Sequence, residues 1–106
     1  MKKKTNKLIN LEKNRKSILT DNLDYCYICN DYRTELHEIY GGSNRKVSME
    51  NNFVIPICSH CHRYITDNPK MSETLKKNCQ KEFEKEHTRE DFLKIIGRSY
   101  LWIIDK

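Results

Sequence analysis

Two cysteine pairs carry the clearest chemistry in this chain: Cys26-Tyr27-Ile28-Cys29 and Cys58-Ser59-His60-Cys61. Two intervening residues let both thiolates of a pair reach one ion. Four thiolates around a d10 ion at about 2.3 Å complete a closed tetrahedral site. The expected cofactor is therefore one Zn²⁺, held by Cys26, Cys29, Cys58 and Cys61. No ligand position stays open for water, so this zinc should hold the fold and not do chemistry. The fifth cysteine, Cys79, falls on the apolar stripe of an expected helix and reads as a small core residue.

The elements around the pairs must bring them together. Thr20-Asp21-Asn22 is a turn signal leading into the first pair, and Asn30-Asp31 after it suits a tight knuckle. Glu35-Leu36-His37-Glu38-Ile39 reads as a short strand. Gly41-Gly42 lets the chain reverse, and Asn44-Arg45-Lys46-Val47-Ser48 crosses back as a loop or single helical turn. Phe53-Val54-Ile55 is the second strand, with Pro56 implying an edge position or the strand's end. A short helix over about His60 to Ile65 carries Cys61 and His62.

A second helix is expected over Pro69 to Glu86, with Asn68 as its cap and Pro at its first position. Met71, Leu75, Cys79 and Phe83 recur every four residues and form its apolar stripe. Thr88-Arg89-Glu90-Asp91 resembles a capping box with Asp in place of Glu or Gln. The third helix runs to Ile96 and stops at Gly97. Tyr100-Leu101-Trp102-Ile103-Ile104 is a last apolar segment that should pack on the body. The fold class expected is α+β, a small zinc-stapled ββα module followed by C-terminal helices.

At 106 residues, with 37% apolar and 33% charged side chains, the chain can build one small core, for which a metal staple is apt. No apolar run is long enough to span a bilayer, and the basic start lacks the apolar stretch of a signal peptide. The expected location is cytoplasmic, where metal thiolates outnumber disulfides. The net charge of +5 is uneven: residues 1–16 hold seven basic side chains and one acidic, the other 90 hold 13 and 14. Residues 1–20 are thus expected as a basic flexible arm, suited to weak phosphate attraction or simply solvated, and 21–106 as the folded domain.

The order Cys-x-x-Cys, histidine strand, loop, apolar strand and Cys-x-x-Cys-His resembles the HNH (His-Me finger) nuclease family in its zinc-ribbon form. The match is nearest to small phage and prophage HNH-like proteins. Leu36 to Ser48 looks like their central motif and Arg89 to Leu101 like their C-terminal segment, so the resemblance covers about residues 25–101. What it implies is a ββα-metal centre in which one histidine activates water and a divalent cation (Mg²⁺ or Mn²⁺) stabilises the leaving oxygen. Aligned on Ile39, His37 takes the metal-ligand position and Glu38 the base position. Shifted by one, His37 becomes the base and Leu36 falls at the ligand position. His62 matches the first helix histidine, Thr66 stands where the second is usual, and Phe53 stands where an asparagine is usual, with Asn52 one position off and Asn44 a distant candidate.

The catalytic candidates are therefore His37, Glu38 and His62. Because Glu38, Phe53 and Thr66 depart from the family pattern, the expected function is a catalytically silent scaffold that acts by binding. Its expected partner is a host defence protein, for instance a CRISPR nuclease (an anti-CRISPR role), or DNA. The alternative is a metal-dependent HNH DNA endonuclease or nickase.

Overall fold

The run Phe53-Val54-Ile55-Pro56-Ile57 is buried throughout, and β-branched residues suit an extended strand covered on both faces. In the computed structural model, which describes residues 6–33 and 35–101, this run supplies strand β2 (Val54–Ile57). It pairs antiparallel with β1 (Glu35–Glu38), with Glu35 opposite Ile57, His37 opposite Ile55 and Glu38 opposite Val54. Among the described residues five α-helices accompany this two-stranded sheet: α1 (Asn6–Lys13), α2 (Arg45–Glu50), α3 (Ser59–Asp67), α4 (Pro69–Phe83) and α5 (Arg89–Ile96). The chain is a small α+β domain in which α2 lies between β1 and β2 and α3 follows β2.

Pro56 sits inside β2 without disrupting it. A two-stranded sheet has only edge strands, and the Pro56 carbonyl accepts from the Tyr27 amide at 2.9 Å. The link between the strands is a 3-10 turn (Gly42–Asn44), which Gly42 enters at a φ of 60°, then α2. Ser48 ties this crossing to the strands. Its buried hydroxyl donates to the Tyr40 carbonyl at 2.7 Å, and its own carbonyl accepts from the Phe53 amide at 2.7 Å.

Phe53, Phe83, Phe92 and Tyr40 form the centre of the core. The Phe53 ring lies edge-on to Tyr40 and Phe83, each at 5.5 Å between centroids, and Phe92 lies 5.5 Å from Tyr40. Burying each such ring contributes about 1.5–3 kcal/mol. The α4 stripe packs as the sequence indicates, with Leu75, Cys79 and Phe83 buried and Met71 partly so. Gln80 is also fully buried. Its Nε2 donates to Glu84 and Ser99 and its Oε1 accepts from the Tyr100 amide at 2.8 Å, which fastens the segment after α5.

Both ends of α5 repeat the sequence reading, and both ends of α4 depart from it. Thr88 and Asp91 make a complete capping box, and Gly97 closes α5 at a φ of 96°. Asn68, expected to cap α4, donates instead to the Tyr64 carbonyl at 2.8 Å and so serves the end of α3. Helix α4 ends at Phe83 and not Glu86, because Lys85, Glu86 and His87 turn back onto the carbonyls of Glu82 and Phe83.

The segment expected as a flexible arm to residue 20 also differs. Asn6–Lys13 is helical, and long-range contacts fasten it and the residues up to Ile18. Glu12 pairs with Arg45 at 2.7 Å, Arg15 pairs with Glu38 at 3.1 Å, and the Ile18 amide donates to the Asn52 carbonyl. Those partners lie more than 20 residues away, so local propensity carries no trace of them. Met1–Thr5 and Trp102–Ile104 lie outside the described residues. No helix among those described is long and apolar enough to cross a membrane.

Candidate metal centre and the adjoining histidine cleft

The first cysteine pair sits in a turn closed by a Tyr25–Tyr32 bridge. Asn30 adopts a left-handed conformation (φ 64°), which asparagine tolerates, and its amide donates to the Cys26 carbonyl at 2.9 Å. The Tyr27–Pro56 hydrogen bond then holds this turn against β2. The second pair is set by α3. Cys58 is its N-cap, with Sγ accepting from the Cys61 amide at 3.4 Å.

All four thiol sulfurs lie within 4.8 Å of one another. The Cys29 and Cys58 sulfurs are 3.6 Å apart, far beyond a disulfide bond of about 2.05 Å. A tetrahedron with arms of about 2.3 Å has edges of about 3.8 Å. The cluster therefore has the size of a four-thiolate site and could hold a metal ion. Cys26, Cys58 and Cys61 are buried while Cys29 is exposed, so the site lies at the surface. Burial works against the Cys26 thiolate, but backbone hydrogen bonds from Cys29, Cys58 and Ile28 outweigh it and bring its pKa down to about 6. Burial, with the neighbouring cysteine side chains, pushes Cys61 the other way. Four such groups ionise together only around a cation, and binding one displaces their remaining protons. Cys79 lies apart in the core, its thiol pushed up to about 12 by burial.

The histidines meet beside this cluster. Glu35 and His37, two apart on β1, share a face. The His37 and His62 rings lie 5.4 Å apart at 57°, and His62 Nδ1 meets Glu35 Oε1 at 2.6 Å. Burial, then the neighbouring His62, lowers the His37 pKa, while Glu38 and Glu35 partly offset that. His37 is thus neutral near pH 7, with a lone pair to offer.

Glu38 does not join them. Its Oε2 meets Arg15 Nη1 at 3.1 Å and its Oε1 meets Arg45 Nε at 2.6 Å, with the side chain 9% exposed. Thr66 turns its hydroxyl back to the His62 carbonyl at 2.9 Å. Phe53 belongs to the aromatic core, and Asn44 donates to the Ile96 carbonyl at 3.2 Å, holding the end of α5. Asn52 has a left-handed backbone (φ 64°) and uses its carbonyl on Ile18. His87 stacks on Phe83 at 4.4 Å.

His37, Glu38 and His62 line a cleft of about 510 Å³ together with Glu35, Leu36, Arg15, Arg33 and Arg45. Of these, Glu35 was open to detection as the strand neighbour two before His37. Arg15 arrives from a segment with no sequence link to the site. Among the described residues, the four cysteines are the one set of three or more ligand-type side chains gathered closely enough to share an ion. No protein-family model matches this chain, and neither a curated protein nor a solved structure does.

Proposed function

We propose that this chain is a zinc-stapled, HNH-like module that binds its target and does not cut it. The observation that carries this reading is the state of Glu38. At the position where the family resemblance puts the base, both carboxylate oxygens face guanidiniums of Arg15 and Arg45. A carboxylate held that way points its oxygens at guanidinium donors and not at a water. The hydroxyl of Thr66 is spent on the backbone, and among the described residues the four cysteines are the one set of three or more ligand-type side chains close enough to share an ion.

The cleft favours nucleic acid as the target. Three arginines line it against two carboxylates; Arg15 and Arg45 are held in place by Glu38 and Glu12, and the remaining guanidinium N–H groups suit phosphate oxygens. Arg15 also belongs to the basic segment 1–16, which adds phosphate attraction. A host defence protein, such as a CRISPR nuclease, is the other partner class for a silent scaffold of this kind.

One observation favours a second reading, a metal-dependent endonuclease: the 5.4 Å approach of His37 and His62. Plasmid cleavage with Mg²⁺, Mn²⁺ and Ni²⁺, wild type beside His37→Ala and His62→Ala, separates the two. The binding reading expects no cleavage by any of the three proteins and a DNA mobility shift that weakens with salt. Cleavage by the wild type that both variants lose overturns it in favour of the nuclease.

A further inference from the structure

Exposed aromatics are concentrated around the first cysteine pair. Of the five exposed large hydrophobic residues among those described, Tyr25, Tyr27 and Tyr32 lie within eight positions of one another, and Tyr32 is 71% exposed. Tyr25 and Tyr32 stack on each other at 5.2 Å and 27° across their bridge. Neither ring is buried by the fold, so packing does not account for them.

Their surroundings are acidic. Residues 21–33 carry Asp21, Asp24 and Asp31 against Arg33, and all three aspartates are exposed. In the adjoining cysteine cluster, a divalent ion on four thiolates would leave two net negative charges. The surface thus joins aromatic faces to negative charge, the reverse of the arginine cleft. Phosphate is repelled from such a surface, whereas an arginine is matched twice: its plane stacks on a tyrosine face and its N–H groups meet carboxylates. The chain makes that stacking contact elsewhere, with Arg98 over the Tyr100 ring at 4.5 Å from its centroid.

We propose that the Tyr25–Tyr27–Tyr32 ledge, rimmed by Asp24 and Asp31, is a docking surface for an arginine-bearing face of a partner protein. It is independent of what the histidine cleft binds, and it stands if that cleft proves to take no nucleic acid. Tyrosine and arginine dominate the strongest contacts of protein interfaces, and two stacked rings lose little conformational freedom on binding.

The test uses the full metal-loaded chain, labelled with ¹⁵N and titrated with a hexa-arginine peptide, a hexa-lysine peptide and an eight-nucleotide thymidine strand. The expected result is saturable shifts of amides 24–32 with hexa-arginine and weaker binding of hexa-lysine. Affinity for hexa-arginine should fall about two- to fivefold in Tyr32→Ala, and by a similar factor in Asp31→Asn. One bound metal per chain and an unchanged spectrum away from the ledge would show both variants folded. Hexa-arginine shifts confined to Glu35 and Glu38, equal affinity in both variants, or an oligonucleotide that maps to the tyrosines each overturn the proposal.

Discussion

His37 and His62 face one another across the junction of β1 and α3, 5.4 Å between ring centroids, with Glu35 already 2.6 Å from the His62 Nδ1. Glu38, the next residue on the strand after His37, belongs to a different set of contacts altogether. The pleat explains the division, because successive side chains leave a strand on opposite faces. Glu35 and His37 fall toward α3, while Glu38 reaches Arg15 and Arg45. The outline of a metal-and-base centre is thus split between an imidazole pair and an ion-pair network that fastens the N-terminal segment.

Replacing Cys58 by Ser tests whether the four cysteines hold a metal that supports the fold. Serine is itself a good N-cap, so α3 keeps a cap acceptor while the site loses a thiolate. Structural zinc binding in small domains is worth about 10–16 kcal/mol of folding free energy. Wild type is expected to hold one zinc per chain by elemental analysis and to melt cooperatively by circular dichroism. Cys58→Ser, or wild type after strong chelation, should lose the metal and the cooperative melt. A variant that stays folded and zinc-replete would show that these are the wrong ligands.

Acid should destabilise the fold in part through His37. Its folded pKa lies below the ordinary value because burial and the neighbouring His62 disfavour the imidazolium. Unfolded, the group titrates near 6.5. Its contribution is therefore fully present above about pH 6.5 and is lost as pH falls through the lower folded value. The charges around it pull both ways, Lys76 with His62, and Glu38 and Glu35 against them. In urea unfolding at stepped pH, His37→Gln should lose less stability than wild type between neutral and mildly acidic pH. Metal release from the cysteines is common to both chains and cancels in the comparison. Parallel curves would assign the acid sensitivity elsewhere.

Much of the fold was legible from local pattern. The doubled Cys-x-x-Cys spacing located the thiol cluster, the β-branched run located β2, and the four-residue period located the buried stripe of α4. Thr88 and Asp91 could be read as a cap because both partners sit within one turn. What stayed hidden depends on chain separation. Arg15 meets Glu38 from 23 positions away, and α1 is fastened through Glu12 to Arg45, 33 positions on. Asn68 stood between two helices, and composition favours neither claim on its side chain. Gln80 lies outside the four-residue stripe of α4, yet it is buried, with Ser99 and Tyr100 returning to satisfy it.

Gly97→Ala should cost about 1 kcal/mol. The residue closes α5 at a φ of 96°, where a Cβ is disfavoured, and its amide donates to the Leu93 carbonyl at 2.8 Å. A Cβ built there meets nothing within 4 Å, so the whole cost is backbone conformation and not crowding. Chemical denaturation measures it through a lowered midpoint at unchanged slope. A variant as stable as wild type would mean that the end of α5 relaxes without penalty.

Arg45→Ala should be more costly, and in an informative way. Arg45 is shared between Glu12 of α1 and Glu38 of β1, so its loss strips one partner from a carboxylate that is only 9% exposed. Removing one partner of a fully buried pair costs about 3–5 kcal/mol; Arg45 itself is 38% exposed, so solvent screening brings the expectation to about 1–2 kcal/mol. The double variant Arg45→Ala/Glu38→Gln removes the uncompensated charge and should recover part of that loss, because a neutral amide can remain bonded to Arg15. The same variants report on α1: limited proteolysis at Lys13 and Lys16 should quicken in Arg45→Ala before global unfolding sets in. If freed Glu38 then supported metal-dependent cleavage that wild type lacks, the two guanidiniums would be what holds the base position silent. If the double variant were no more stable than Arg45→Ala, the uncompensated charge on Glu38 would not be the source of the loss.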